Sequence, residues 1–167
     1  ALACPEKDVS LADLAALCDA FYIGGTKCGA LFGEAVVLPR PGLIPHFFTI
    51  IKQHGALLAK GRLLGIQFDT LFTDGLYEKL GAPAMAAADH IRAALRECGY
   101  TLCFDSPTNQ VFCILDNDTM ARLAQKVDFG FWEKYDDTHT IVRFATSWAT
   151  DMDDVKLLKD ALRDARQ

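Results

Sequence analysis

The 167 residues are half apolar and carry a formal net charge of −5. That length suits one ordinary domain or two small ones, and the apolar share is enough for a core, which excludes a disordered chain. The acidic balance, with no basic stripe to offset it, excludes a general nucleic-acid binder, and no stretch is long and apolar enough to span a bilayer.

Ser10 ahead of Leu11–Leu17 reads as an N-cap and a short helix. Asp19 to Ile23 is a short apolar run that stops at Gly24 and Gly25, and Ala35 to Leu38 is β-branched and stops at Pro39; both read as buried strands. Pro45 to Lys52 is a helix with proline near its start. Ala56 to Phe72 reads as a longer helix, although Gly61 and Gly65 are poor helix residues. A further helix is expected over Ala84–Cys98, with Met85, Ala88, Ile91 and Leu95 as its stripe, Gly99 as its end, and Pro83 as a kink or break before it. Val111–Leu115 reads as a strand, with Asp116 or Asn117 capping a helix over Thr119–Gln125. Phe129–Tyr135 and Thr140–Ala145 flank Asp136-Asp137-Thr138 and read as an antiparallel hairpin. Asp151–Arg166 closes the chain as an amphipathic helix on Val155, Leu158 and Leu162.

The six cysteines show neither a CxxC pair nor a disulfide framework, and several sit in apolar runs as small hydrophobes. Ala1 to Asp8 has no basic start or apolar stretch of the signal-peptide kind, so a reducing, cytoplasmic setting is expected. His46, His54, His90 and His139 are scattered and none pairs with a cysteine at ligand spacing, which argues against a zinc site; no metal is expected. The sequence opens at Ala1 without methionine, as a piece of a longer protein would.

Chemistry concentrates first at Gly24-Gly25-Thr26-Lys27. The run lacks the spacing of a phosphate-binding loop, and no GxGxxG follows the strand. Apolar enclosure by Ile23, Ala30, Leu31 and Phe32 would favour the neutral amine that attacks carbonyls, and the glycines would let a bulky ligand approach the backbone. On these residues alone, a surface lysine in a turn is the more economical reading.

The wider stretch Tyr22-Ile23-Gly24-Gly25-Thr26-Lys27-Cys28-Gly29-Ala30-Leu31-Phe32-Gly33-Glu34-Ala35 closely resembles the lysine segment of the threonine aldolase and β-eliminating lyase group, which are fold-type I pyridoxal-phosphate enzymes. Three further stretches fit the same group in the same order: Gln53 to Phe68, Thr108 to Phe112, and Val142 to Thr150. The resemblance implies an α/β fold representing the C-terminal half of that architecture. Its parts are residues 1–40 as the end of the large, cofactor-binding domain, 41–74 as connecting helices, and 75–167 as a small α+β domain.

It implies pyridoxal phosphate as cofactor, Lys27 as the Schiff-base lysine, Thr26 and Arg62 as cofactor neighbours, and Arg143 as the holder of the substrate α-carboxylate, a task suited to a planar fork of donors. Lys60, Arg62 and Gln67 fall where the group places polar residues near the phosphate, and a solvated helix face explains all three equally well. Asn109 and Gln110 read as turn residues or site residues, with the turn preferred, and His54 and His139 as ordinary histidines. Asp8, Asp13 and Asp19 lie outside the motif that supplies the ring-nitrogen aspartate. The implied activity is cleavage of L-threonine or a similar β-hydroxy amino acid to glycine and an aldehyde, in a homo-oligomer with interface sites and a small amino-acid substrate. The alternatives are β-elimination, a non-catalytic fragment or binding chain, and a half-enzyme that needs a separate first half.

Overall fold

Ser10 opens the first helix with a complete capping box: its hydroxyl accepts from Asp13 N–H at 3.2 Å, and the Asp13 carboxylate accepts from Ser10 N–H at 2.8 Å. This helix, α1 (Leu11–Leu17), begins the first of two units in the computed structural model, which describes residues 1–166. The first unit runs from Lys7 to Leu80; the second runs from Gly81 onward and also takes in Ala3–Glu6.

In the first unit, β1 (Phe21–Gly24) pairs antiparallel with β2 (Glu34–Val37), placing Tyr22 opposite Val36 and Ile23 opposite Ala35. The two strands form a ribbon of their own. They are not the buried strands expected from their composition: Ile23 is buried, whereas Tyr22 is 69% and Val36 63% exposed. A two-stranded ribbon covers one face at most, so alternate side chains stay in solvent. Two helices follow, α2 (Phe47–Gln53) and α3 (Arg62–Phe72). The latter is shorter than the sequence suggests, because Leu58 to Gly61 close a turn (Gly61 N–H to Leu58 O, 3.1 Å) and Gly61 becomes the N-cap.

Helix α4 (Leu76–Glu97) corrects the expected break at Pro83, which lies inside 22 continuous helical residues. An interior proline costs about 3 kcal/mol through its missing N–H and its clash with the preceding turn. The residues beyond it outweigh that cost: Met85, Ile91 and Leu95 are buried, each worth about 1.5–3 kcal/mol.

The second unit is built on a four-stranded antiparallel sheet of order β3-β4-β6-β5, from β3 (Thr101–Leu102), β4 (Gln110–Asp116), β5 (Gly130–Lys134) and β6 (His139–Ala145). Asp116 caps α5 (Asn117–Leu123), accepting from Thr119 N–H at 2.8 Å, and Asp151 caps α6 (Met152–Ala165). One sheet face supplies Val111, Cys113, Leu115, Val142 and Phe144 to a core closed by Leu95 of α4, Leu123 of α5, and Val155, Leu158 and Leu162 of α6. On the other face lie Phe112, Arg143 and the bulged Trp132. All six cysteines are unpaired, and Cys4 and Cys113 are buried. No helix among the described residues is long and apolar enough to cross a membrane.

Candidate active site

Lys27 sits in the middle of a single 3-10 turn, Thr26–Cys28, entered from Gly25 and left through Gly29 in the left-handed conformation (φ 94°). The Gly25 carbonyl accepts from Cys28 N–H at 2.9 Å and Ala30 N–H at 3.0 Å, which closes the turn on itself. Gly25 must lack a side chain: a Cβ there would stand 2.6 Å from Ala30 Cβ and 3.1 Å from the Phe68 ring.

Contacts from elsewhere in the unit hold the turn from two more sides. Tyr77 Oη donates to the Gly24 carbonyl at 2.7 Å. Gln67 accepts from Leu31 N–H at 2.6 Å and donates to the Phe32 carbonyl at 3.3 Å. Below them Phe68, Phe72 and Tyr77 stack in sequence, with ring centroids 6.2 and 5.4 Å apart. Burial pushes the Tyr77 hydroxyl up to about 12, with the Cys28 thiol beside it adding to the shift. Burial likewise raises the Cys28 thiol.

The apolar enclosure expected around Lys27 is not made. Ile23 and Ala30 are buried, but Leu31 is 84% exposed, Phe32 is half-exposed, and Lys27 itself is exposed. The short turn aims the side chain outward while its backbone is held inward. Thr26 is exposed beside it. Arg62 is exposed as the first residue of α3, a helix start with no acidic side chain in its first turn and no side-chain cap, where backbone N–H groups favour an anion. Lys60 is exposed. Gln67 is occupied with the backbone of the loop after Lys27, a structural task in this chain.

Two aspartates near the start of the chain are committed to local structure, Asp13 to the α1 cap and Asp19 to an ion pair with Arg40. Asp8 is exposed.

Arg143 lies in the second unit, in mid-β6, opposite Phe112 on one side and Gly130 on the other. Its Nη1 donates to Gln110 Oε1 at 3.1 Å, its guanidinium carbon stands 5.7 Å from the Trp132 ring centroid, and its Nε is buried without a partner. Ile91, Phe144, Val155 and Leu158, on the sheet face opposite the Arg143 side chain, line a cavity of about 420 Å³ whose lining also includes Gly130, Arg143, Asp128 and Asp154. Gln110 therefore contacts the arginine, whereas sequence favoured a turn. Asn109 donates to the Thr146 carbonyl at 2.7 Å, a bond that joins the approach to β4 with the residue after β6. Trp132 and Gly130 were not legible as neighbours of Arg143, because a bulge between Phe131 and Glu133 shifts the register that strand alternation would give. His139 is engaged within its own hairpin, with Nδ1 3.0 Å from Asp136 Oδ1. Among the described residues, no three His, Cys, Asp or Glu side chains gather as metal ligands would.

No protein-family model matches the chain. It is similar to the low specificity L-threonine aldolase of Pseudomonas sp. (strain NCIMB 10558), with 29% identity over 151 residues, covering 87% of this chain and 41% of that protein. The solved structure of Leishmania major threonine aldolase superposes with a TM-score of 0.89 at 43% identity, covering 98% of this chain and 48% of that one. Sphingomonas wittichii serine palmitoyltransferase shares the fold at 13% identity, with a TM-score of 0.65, 92% of this chain and 41% of that one covered. The chain thus spans about half the length, or less, of the relatives it matches.

Proposed function

We propose that this chain, a homologue of threonine aldolases over about half their length, carries the lysine and the carboxylate-binding part of a pyridoxal-phosphate-dependent aldehyde-lyase. Both kinds of relative, threonine aldolases and serine palmitoyltransferases, depend on pyridoxal phosphate. The observation that carries the reading is the Lys27 turn: an exposed amine on a backbone held by Gly25, Gln67 and Tyr77.

The side chains present fit the cofactor chemically. Lys27 offers a primary amine to an aldehyde, Thr26 a hydroxyl to a phosphate or ring oxygen, and Arg62 a guanidinium to a phosphate. When bound, pyridoxal phosphate supplies an electron sink for the bond that breaks at the substrate's α-carbon. Lys27 Nζ would be the amine that holds the cofactor through its aldehyde group. Arg143 holds the α-carboxylate, so the substrate arrives in one orientation. For L-threonine, cleavage between Cα and Cβ gives glycine and acetaldehyde. β-Elimination uses the same lysine and arginine and stands as the second reading. The proton acceptor for the β-hydroxyl, the ring-nitrogen partner and the stacking group are assigned to no residue of this chain. Residues 1–40, 41–74 and 75–167 are then the end of the cofactor domain, the connecting helices and the small domain. Self-association and a cytoplasmic setting belong to the same proposal.

The test is a visible absorption spectrum of the purified chain with pyridoxal phosphate, before and after borohydride, followed by peptide mapping. A band above that of free cofactor, with the reduced adduct on Lys27 alone, is the expected result. Random labelling of exposed lysines, or labelling unchanged in Lys27→Ala, removes the role.

A further inference from the structure

The core face of the sheet keeps an opening between β5, β6 and α6. This is the cavity of about 420 Å³ floored by the buried Ile91, Phe144, Val155 and Leu158. The volume falls in the roughly 300–1,000 Å³ range of small-molecule sites. Phe129 stands at its side, its ring tilted against that of Phe144 with centroids 5.9 Å apart. The floor is therefore apolar and partly aromatic.

The charges that border this floor are of one sign. Asp128 and Asp154 are exposed at its border, while the Arg143 side chain lies on the opposite sheet face with Phe112 and Trp132. Asp154 precedes Leu158 by one turn of α6, so the two share a helix flank. The cations of α6 leave Asp154 without a partner: Lys156 pairs with Asp153, Lys159 with Glu97 and Arg163 with Asp160. Among the described residues, no ion pair reaches Asp128 either. The threonines of the same wall are committed inside the fold. Thr146 Oγ1 donates to the Ala84 carbonyl at 2.6 Å, and Thr150 Oγ1 accepts from Ser147 N–H at 2.9 Å. What the wall still offers a ligand is apolar surface and negative charge.

We propose that this cavity binds a small arylalkyl ammonium compound, with its ring on Phe129, Phe144 and Leu158 and its charge met by Asp154 and Asp128. Burial of the ring supplies affinity, and the two carboxylates supply selectivity. A neutral analogue keeps the first and loses the second; an anionic analogue is repelled. The site uses no side chain assigned to the lysine chemistry or to the α-carboxylate, so it stands or falls apart from that reading.

The experiment is an amide NMR titration of the chain at neutral pH with phenethylamine. Phenethyl alcohol is the neutral counterpart and hydrocinnamate the anionic one. Phenethylamine is expected to shift the amides of Phe129, Gly130, Val155 and Leu158 saturably, the alcohol to do so several-fold more weakly, and hydrocinnamate more weakly still. Asp154→Asn and Asp128→Asn should each weaken the amine about two- to fivefold, the scale of an exposed ion pair, and leave the alcohol unchanged. Both positions are exposed, so each variant should keep the parent's amide spectrum in the absence of ligand. Amine shifts that do not saturate, or that centre elsewhere, overturn the site. Equal affinity for amine and alcohol, or an amine affinity indifferent to both Asn variants, overturns the ammonium ligand. Shifts of the same amides on raising the protein concentration alone, with no response to the amine, give the groove to a second copy and overturn the proposal.

Discussion

Tyr77 Oη and the Gly24 carbonyl are 2.7 Å apart, a hydrogen bond that ties the end of β1 to the first turn of α4 and fixes where the Lys27 turn begins. Sequence separation of 53 residues puts this bond beyond any local pattern.

Tyr77→Phe removes that donor while keeping the ring stack with Phe72. Stability is expected to fall by about 1 kcal/mol, the usual net value of one such bond, in urea unfolding. Lys27 adduct formation is expected to slow alongside it. The hydroxyl also has a pH signature. Because burial raises it from 10.0 to about 12 in the folded chain, the folded form keeps a proton that the unfolded form has lost. Its contribution is therefore complete below pH 10.0 and lost as pH rises to about 12. Urea midpoints measured across that range should fall less steeply in Tyr77→Phe than in the parent.

Gly25→Ala puts a methyl 2.6 Å from Ala30 Cβ and 3.1 Å from the Phe68 ring, so the turn must shift. The expected cost is about 1–3 kcal/mol of overpacking. Selective borohydride labelling of Lys27 should drop further than stability does, because the displaced backbone is the one that presents the amine. Gly65→Ala, where nothing lies within 4 Å of the added carbon, is the control and should leave labelling unchanged.

The β5–β6 hairpin should open in acid. Asp136 accepts from Thr138 N–H and His139 N–H, both at 2.7 Å, and from the His139 ring. The Thr138 bond is the largest cause that holds its carboxyl down at about 2 from an ordinary 3.8, followed by the His139 side chain. The stabilisation is thus present above pH 3.8 and lost as pH falls through about 2. Amide exchange at Thr138 and His139 should accelerate over that interval, and Asp136→Asn should already exchange faster at neutral pH. Protection that is independent of pH would show the turn to be held by strand pairing alone.

Local signals were legible where one segment contains its own answer. The Ser10 N-cap, the cap at Asp116 (one of the two residues the sequence offered), and the hairpin around Asp136-Asp137-Thr138 all lie within a few residues of their partners. The apolar stripe of α6 was equally plain, since Val155, Leu158 and Leu162 are buried as their spacing requires. Pro83 misled because its penalty is local, whereas the burial that overrides it comes from the packed face beyond it. The exposed turn was the economical reading of Lys27 on its residues, and Lys27 is exposed; the apolar enclosure weighed beside it fails because neighbours in sequence are not neighbours in space, and Leu31 turns away into solvent. Gln67 reads as a polar helix residue until the loop it grips is placed 36 residues earlier. Arg92 gave no signal at all, yet it is buried and donates to the carbonyls of Ser106 and Thr108, both at 2.9 Å, tying down the approach to β4.

The ribbon of β1 and β2 has a practical consequence. Each strand spends one side of its backbone on the other and, among the described residues, has no partner on its remaining side. Tyr22 and Val36, cross-strand partners, place an apolar pair in solvent beside those open edges. Unpaired N–H and C=O groups next to exposed apolar side chains form a template on which further strands can grow. Concentrated solutions of the chain should therefore lengthen into assemblies by edge-to-edge growth, starting next to the lysine turn. A lysine in place of Val36 is the change that should keep the solution clear.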